Sequence, residues 1–331
     1  MNDAVDVHCH YIPAPLLERI RSEGRARAIE VVESGRGTVV SFAGRAATQP
    51  LPQGMLDLED RIAWMDERGI ELQMLSCWID FSAYELDPDA GAWLARSLND
   101  ATAEAVCTRS DRFRAMASVP LQAPEAAAHE LRRAVTSLGM VGVEIASSVA
   151  GAELDEPALD PFWTAAAELG TVVLVHPYRS LAGGRMGRYL LSNAVGNPAE
   201  ETLAAAYLAF GGVLERHPDL TVCLTHGGGF FPYQVGRQDR AHRAVPKLAA
   251  VHASRPPSAF LRRFLYDSIT HSPESLRFLV ERVGAERVVL GSDYPFPMGD
   301  LDPLDTVRAA ALGPLEADAV RAGNAVRVFR L

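Results

Sequence analysis

TVVLVHP, residues 171–177, runs five β-branched or leucine residues straight into a histidine and a proline. A strand with one face in water alternates apolar and polar residues, whereas an unbroken run of this kind belongs to a strand covered on both faces. Seven other segments share the form: AVDVH (4–8), ELQMLSCW (71–78), FRAMASVP (113–120), MVGVEIAS (140–147), LTVCLTH (220–226), FLYDSI (264–269) and RVVLGSD (287–293). Longer helix-like stretches separate them, such as DLEDRIAWMDERG (57–69) and PESLRFLVERVG (273–284). Eight strand–helix units in 331 residues predict an α/β fold of the (β/α)8 TIM-barrel type, as one domain over residues 1–331. An open doubly wound sheet is the runner-up, but no GxGxxG turn opens a first helix. Residues 28–52, with VVESGRGTVVSF, read as a small hairpin insertion after strand 1, near the barrel mouth, where it is a lid or a passive elaboration.

Composition narrows the partners. Hydrophobic content of 48% and charged content of 22% suit a globular chain with a sizeable core. A formal charge of −10 argues against nucleic acid or an anionic membrane as the main partner. No apolar run reaches the length of a membrane span and no signal-peptide pattern precedes Val5, so a cytoplasmic protein is expected. Cys9, Cys77, Cys107 and Cys223 are widely spaced and are read as free thiols, Cys9 and Cys223 as packing residues.

In a barrel, chemistry sits where strands end and the following loops begin. His8 and His10 end strand 1, His176 strand 5, His226 strand 6 and Asp293 strand 8, with Asp267 in or near the end of strand 7. Alternation along strand 1 sends both its imidazoles to one side and Cys9 to the other. Three histidines and a carboxylate, His8, His10, His176 and Asp293, form an N/O ligand set for one divalent metal with a position left open. His226 precedes three glycines that let backbone approach a substrate. Its imidazole is expected to take a proton from water acidified by the ion, or else to be a fourth histidine ligand. Lys247, the single lysine, lies in an outer segment, so no lysine carbamate bridges two ions and the site is mononuclear unless Glu144 replaces that bridge; Glu144 otherwise faces inward beside the ligands. His271 reads as structural or peripheral, and His129, His217, His242 and His252 receive no role.

These motifs carry a family likeness. VDVHCHYIP (5–13), VLVHPY (173–178), LTHGGGFFPY (224–233) and VVLGSDYPFPMGD (288–300) resemble the amidohydrolase superfamily, specifically its aminocarboxymuconate-semialdehyde decarboxylase-like branch. The likeness runs nearly end to end. It implies a single zinc, or manganese in some relatives, on His8, His10, His176 and Asp293, with no organic cofactor. It also implies a catalytic role for His226, and for Arg237 a reach into a neighbouring subunit's substrate carboxylate, hence a homodimer. Phe296 matches a site-lining aromatic. One position departs: where the branch has an Arg-Pro whose arginine clamps a carboxylate, this chain has Gln49-Pro50. Glutamine lacks the charged fork, which argues against aminocarboxymuconate semialdehyde as the substrate. Arg45 and Arg179 are further candidates to neutralise substrate charge. The expected activity is metal-dependent, non-oxidative decarboxylation of a small unsaturated or aromatic carboxylic acid, with Asp293 or His226 protonating carbon. A hydrolase or hydratase acting on a lactone, amide, C–C bond or enol acid is the alternative, and a metal-binding scaffold without catalysis a more distant one.

Overall fold

The computed structural model describes residues 4–43, 46–178 and 183–331. All eight apolar runs become strands of one parallel sheet: β1 (Ala4–His10), β4 (Ile70–Ser76), β5 (Phe113–Ala117), β6 (Gly142–Ala146), β7 (Val172–His176), β8 (Thr221–Leu224), β9 (Phe264–Asp267) and β10 (Val288–Val289). Each pairs with the next in that order, and the sheet curls until its ends meet. Val7 N donates to Leu290 O at 2.9 Å, Asp293 N to His8 O at 2.7 Å and His10 N to Tyr294 O at 2.8 Å, so β1 and the chain beyond β10 close the barrel. The run 28–52 forms the expected hairpin, β2 (Ile29–Ser34) against β3 (Gly37–Phe42), antiparallel. It packs with the helix Ala14–Glu23 through Leu17, Ile20, Ile29, Val40 and Phe42, in a second core that also takes in Phe81, Leu94 and Leu98. Among the described residues no helix is long and apolar enough to cross a membrane.

Local chemistry fixes where the helices begin and end. Asp57 caps the helix Leu58–Arg68 by accepting from Glu59 N and Asp60 N, and Ser272 caps Pro273–Val283 by accepting from Ser275 N. Gly69, at φ 67°, ends the first of these in the left-handed conformation that favours glycine. Inside the barrel, Met74, Met116, Leu174, Cys223, Leu265 and Val289 fill the N-terminal half, and Ala325 and Phe329 of the last helix plug its base. A filled lower half leaves the opposite, C-terminal end for polar groups.

Strand β1 departs from simple alternation. Its register against β4 shifts between Asp6 and Cys9. Val5 and Val7 point into the barrel plug, and the slip brings His8 and His10 to the interior as well, because a one-residue offset exchanges the two faces. Cys9 turns outward into the core beneath the helices. Asp6 sits at the irregularity with no exposure. It accepts from His8 N (3.1 Å), Ser292 N (3.0 Å), Ser292 Oγ (2.5 Å) and Gln73 Nε2 (2.7 Å), tying β1, β4 and the closing segment together. Truncation by Asp6→Ala strands these buried donors and is expected to cost about 3 kcal/mol of unfolding free energy, measured by urea titration. The same variant should bind metal more weakly, because His8 and Asp293 lie on the two segments that Asp6 joins.

Candidate metal centre

The barrel brings four imidazoles and a carboxylate to its C-terminal end. Ring centroids of His8 and His10 are 5.2 Å apart, of His10 and His176 5.0 Å, and of His176 and His226 5.4 Å. His8, His10 and Asp293 are buried, as is His176, while His226 is partly exposed. Asp293 faces three of them: its Oδ1 lies 2.9 Å from His10 Nε2 and 3.5 Å from His8 Nε2, and its Oδ2 lies 3.6 Å from His226 Nε2. His226 (φ 49°) and Asp293 (φ 58°) both hold left-handed backbone conformations, each costing on the order of 1 kcal/mol for a residue with a Cβ. The fold absorbs that cost at the two strand ends that aim these side chains inward.

Hydrogen bonds on the outer edges of the rings set their tautomers. His8 Nδ1 meets Asp267 Oδ2 at 2.7 Å, His10 Nδ1 meets Cys77 O at 2.9 Å, and His176 Nδ1 meets Pro177 O at 2.9 Å. A backbone carbonyl only accepts, so the last two rings carry their hydrogen on Nδ1, and an ionised Asp267 asks the same of His8. Each Nε2 is then a lone pair directed at the centre. His8 Nε2 and His176 Nε2 are buried with no hydrogen-bond partner. In that tautomer His10 Nε2 and Asp293 Oδ1 oppose two lone pairs across 2.9 Å, a contact that calls for positive charge between them. These orphaned donor atoms fit a divalent cation, and outer partners of this type are the usual orienters of metal-bound histidine.

The electrostatics agree. Burial by itself lowers the His8 imidazole, yet the hydrogen bond to Asp267 and the charges of Asp293, Asp267 and Glu144 carry its pKa up to about 9. Burial would raise Asp293, but its contacts with His10 and His226 and the nearby imidazoles hold it well below the usual carboxylate range. His176 is driven well below its ordinary value by burial and by the neighbouring imidazoles. Asp267 is kept ionised against burial by His8, and it also accepts from Gly227 N and Ile269 N. Glu144 faces this field from β6, buried, its pKa pushed up by burial against the pull of His10, Ser76 and His8.

One grouping differs from the sequence expectation. The four residues whose ligand atoms all lie within 4.8 Å of one another are His8, His176, His226 and Asp293, with His226 in the position expected of His10. All five groups nonetheless surround one point, so His226 stands close enough either to bind or to exchange protons. Phe296 lies beside these rings, 5.3 Å from the His10 ring and 5.4 Å from Trp78. Gln49 and Pro50 line a cavity of about 540 Å³ together with Trp78, Phe296, His176 and Asp293. A second cavity of about 360 Å³ continues past Asp293 and His226, lined by Asn193, Asn197, Tyr233 and His271 among others. His271, exposed, stands along this second cavity. Its place just after a strand run was a usable signal, whereas Asn193 and Asn197 lie in a segment that carries no motif. Arg237 is exposed on the helix Phe231–Ala244 and lines neither cavity within this chain. Arg45 and Arg179 lie outside the described residues.

Comparison with known proteins gives the arrangement its family. The profile of the amidohydrolase family matches residues 5–331. The 2-amino-3-carboxymuconate-6-semialdehyde decarboxylase of Dictyostelium discoideum is 39% identical over 247 residues, 75% of this chain and 69% of its own. The gamma-resorcylate decarboxylase of Rhodococcus jostii (strain RHA1) is 32% identical over 297 residues, 84% of this chain and 89% of its own. Among solved structures, a dihydroxybenzoic acid decarboxylase from Polaromonas sp. JS666, with bound manganese and the inhibitor 2-nitroresorcinol, superposes with a TM-score of 0.81 at 25% identity, covering 100% of this chain and 98% of that one. The chain belongs to the amidohydrolase superfamily, within its family of decarboxylases.

Proposed function

We propose that this protein is a metal-dependent, non-oxidative carboxy-lyase that removes CO2 from a small unsaturated or aromatic carboxylic acid, with one catalytic domain over residues 1–331. The observation that carries the reading is the set of three Nδ1-anchored imidazoles, of His8, His10 and His176, that turn their Nε2 atoms inward beside Asp293 at a cavity walled by Trp78 and Phe296. His8, His10, His176 and Asp293 are the ligands in this reading, holding one zinc or manganese ion and no organic cofactor. A bound divalent ion supplies Lewis acidity toward a carboxylate or neighbouring hydroxyl oxygen.

The chain's own groups do the rest. Trp78 and Phe296 offer an apolar wall to the flat part of the substrate, and Gln49 offers a neutral amide at its rim. His226 Nε2 and Asp293 Oδ2 stand 3.6 Å apart at the cavity, and one of them takes up the transferable proton from water or from a substrate hydroxyl group. That proton is delivered to the carbon bearing the carboxyl group. The C–C bond then breaks, its electron pair returns to the conjugated system and CO2 departs. Hydrolysis or hydration would use the same groups, and the two activities separate by product.

Arg237 contributes from a second copy in this reading, reaching the partner's cavity in a homodimer. Val245, Leu248 and Val251, exposed just beyond its helix, support an apolar interface there. A cytoplasmic setting fits four unpaired cysteines.

Metal removal by a chelator should abolish CO2 release from a panel of hydroxybenzoates and unsaturated diacids, and one equivalent of zinc or manganese per chain should restore it. Turnover of esters or lactones without CO2 from any acid would instead establish the hydrolase. His176→Ala should lose bound metal by elemental analysis. His226→Asn should keep it while kcat falls by roughly 10²–10⁴-fold; equal metal loss in the two variants would make His226 a ligand. In gel filtration the protein should elute as a dimer, and Arg237→Ala should raise KM roughly tenfold with metal content unchanged, as loss of one charged carboxylate contact requires.

A further inference from the structure

Thr225, immediately before His226, sits at a crowded polar junction with no exposure. Its Oγ1 lies 3.1 Å from Val175 O and 3.1 Å from His226 Nδ1, and it is hydrogen-bonded to Glu201 Oε1. Glu201 is on the helix Asn197–Phe210, is wholly buried, and its second oxygen has no partner. Helix and glycine loop are pressed together here. A Cβ at Gly229 would lie 2.0 Å from Pro198 O and 3.0 Å from Glu201 Cβ, and Phe230 N donates to Thr202 Oγ1 at 2.7 Å. Glycine at 229 is thus what lets a helix carboxyl reach the back of the catalytic loop.

The Thr225 hydroxyl has a single hydrogen, and Glu201 Oε1 and Val175 O are both acceptors within its reach. With that hydrogen committed to their side, the Oγ1 lone pair turned toward the ring accepts from His226 Nδ1–H. Burial, reinforced by the charges of Asp267, Glu200 and Glu144, pushes the Glu201 carboxyl well above its usual range, while the hydrogen bond from Thr225 pulls the other way.

We propose that Glu201 is a positioning residue that, through the Thr225 hydroxyl, fixes His226 as the Nδ1–H tautomer with Nε2 presented to the cavity as the free base. The proposal deepens the reading of His226 as the proton handler and rests on it. A His226 held in the other tautomer would face the cavity with a hydrogen already on Nε2 and could not accept one. Glutamine at 201 can accept from Thr225 through its amide oxygen as the carboxyl group does, leucine cannot, and valine at 225 removes the junction while keeping its shape.

The test reads the tautomer directly. Long-range ¹H–¹⁵N correlation spectra of zinc-loaded protein with ¹⁵N-labelled histidine, assigned with His226→Asn, should show the His226 hydrogen on Nδ1 and a lone pair on Nε2. Glu201→Gln and Thr225→Ser should preserve that pattern, whereas Glu201→Leu and Thr225→Val should give a mixture of tautomers. With an acid that is turned over, the first two variants should stay within about threefold of the parent kcat. The other two should lose about ten- to a hundredfold in kcat at unchanged KM and metal content, with no further loss in the double variant. An Nε2–H pattern in the parent, a zinc-coordinated Nε2, or an unchanged pattern in Thr225→Val would each overturn the proposal. The spectra need no substrate, so absence of decarboxylation would sink the functional reading and leave this result standing.

Discussion

Asp6 holds the barrel shut where it matters most. A parallel barrel must join its first and last strands, and here the last strand is only Val288–Val289 before the chain bends to present Asp293. Four hydrogen bonds onto one buried carboxylate compensate for that short pairing. Burial raises the pKa of Asp6, and its donors pull in the other direction. Behind it stands Arg61, also without exposure, whose guanidinium donates to His10 O, to Gly54 O at 3.0 Å and to Gln73 Oε1 at 3.1 Å. Gln73 links this cation to Asp6, so charges of both signs brace the strand that carries two of the imidazoles. Buried charges are expensive unless paired and hydrogen-bonded, and here both are spent on the geometry of β1.

The centre they position is built to receive positive charge. Asp267, Asp293 and Glu144 surround rings whose Nε2 atoms are left as lone pairs. The field that lifts His8 to about 9 is the same field that attracts a divalent ion, and a proton on Nε2 competes with that ion for one lone pair. His176 resists protonation while His8 favours it, so the four rings are not equivalent: the environment separates them before any ligand arrives.

Much of this was legible in the residues. Unbroken apolar runs such as VVLVH announce strands covered on both faces, and all eight appear in the sheet. Histidines and aspartates at the ends of those runs converge because a barrel gathers strand ends at one mouth. Two things were hidden. The register slip between Asp6 and Cys9 follows from how β1 meets β4 and the closing segment, a long-range contact that no local pattern encodes. The approach of the helix Asn197–Phe210 to the glycine loop is likewise tertiary, so Glu201 reads in sequence as one more helical carboxylate, though it is fully buried. The triple glycine was visible, but its service to a packed helix was not.

The cavities constrain what the centre can bind. On one side of Asp293 lie Trp78, Phe296, Pro50 and Met298, a wall suited to a flat apolar body. Asn193, Asn197 and Met298 line both cavities, and the second adds Thr270, Tyr233 and His271, groups able to exchange hydrogen bonds with neutral polar groups. Among the described residues neither cavity is lined by lysine or arginine. In the proposed reading, the charge of an entering carboxylate is balanced by an ion held on the histidines. Glutamine at position 49 makes the same point from the rim: an amide can orient a hydroxyl or a carboxyl oxygen, but it does not select for a second negative charge. In the proposed reading the reacting carboxyl group turns toward the imidazoles and the flat remainder of the acid lies against Phe296 and Trp78.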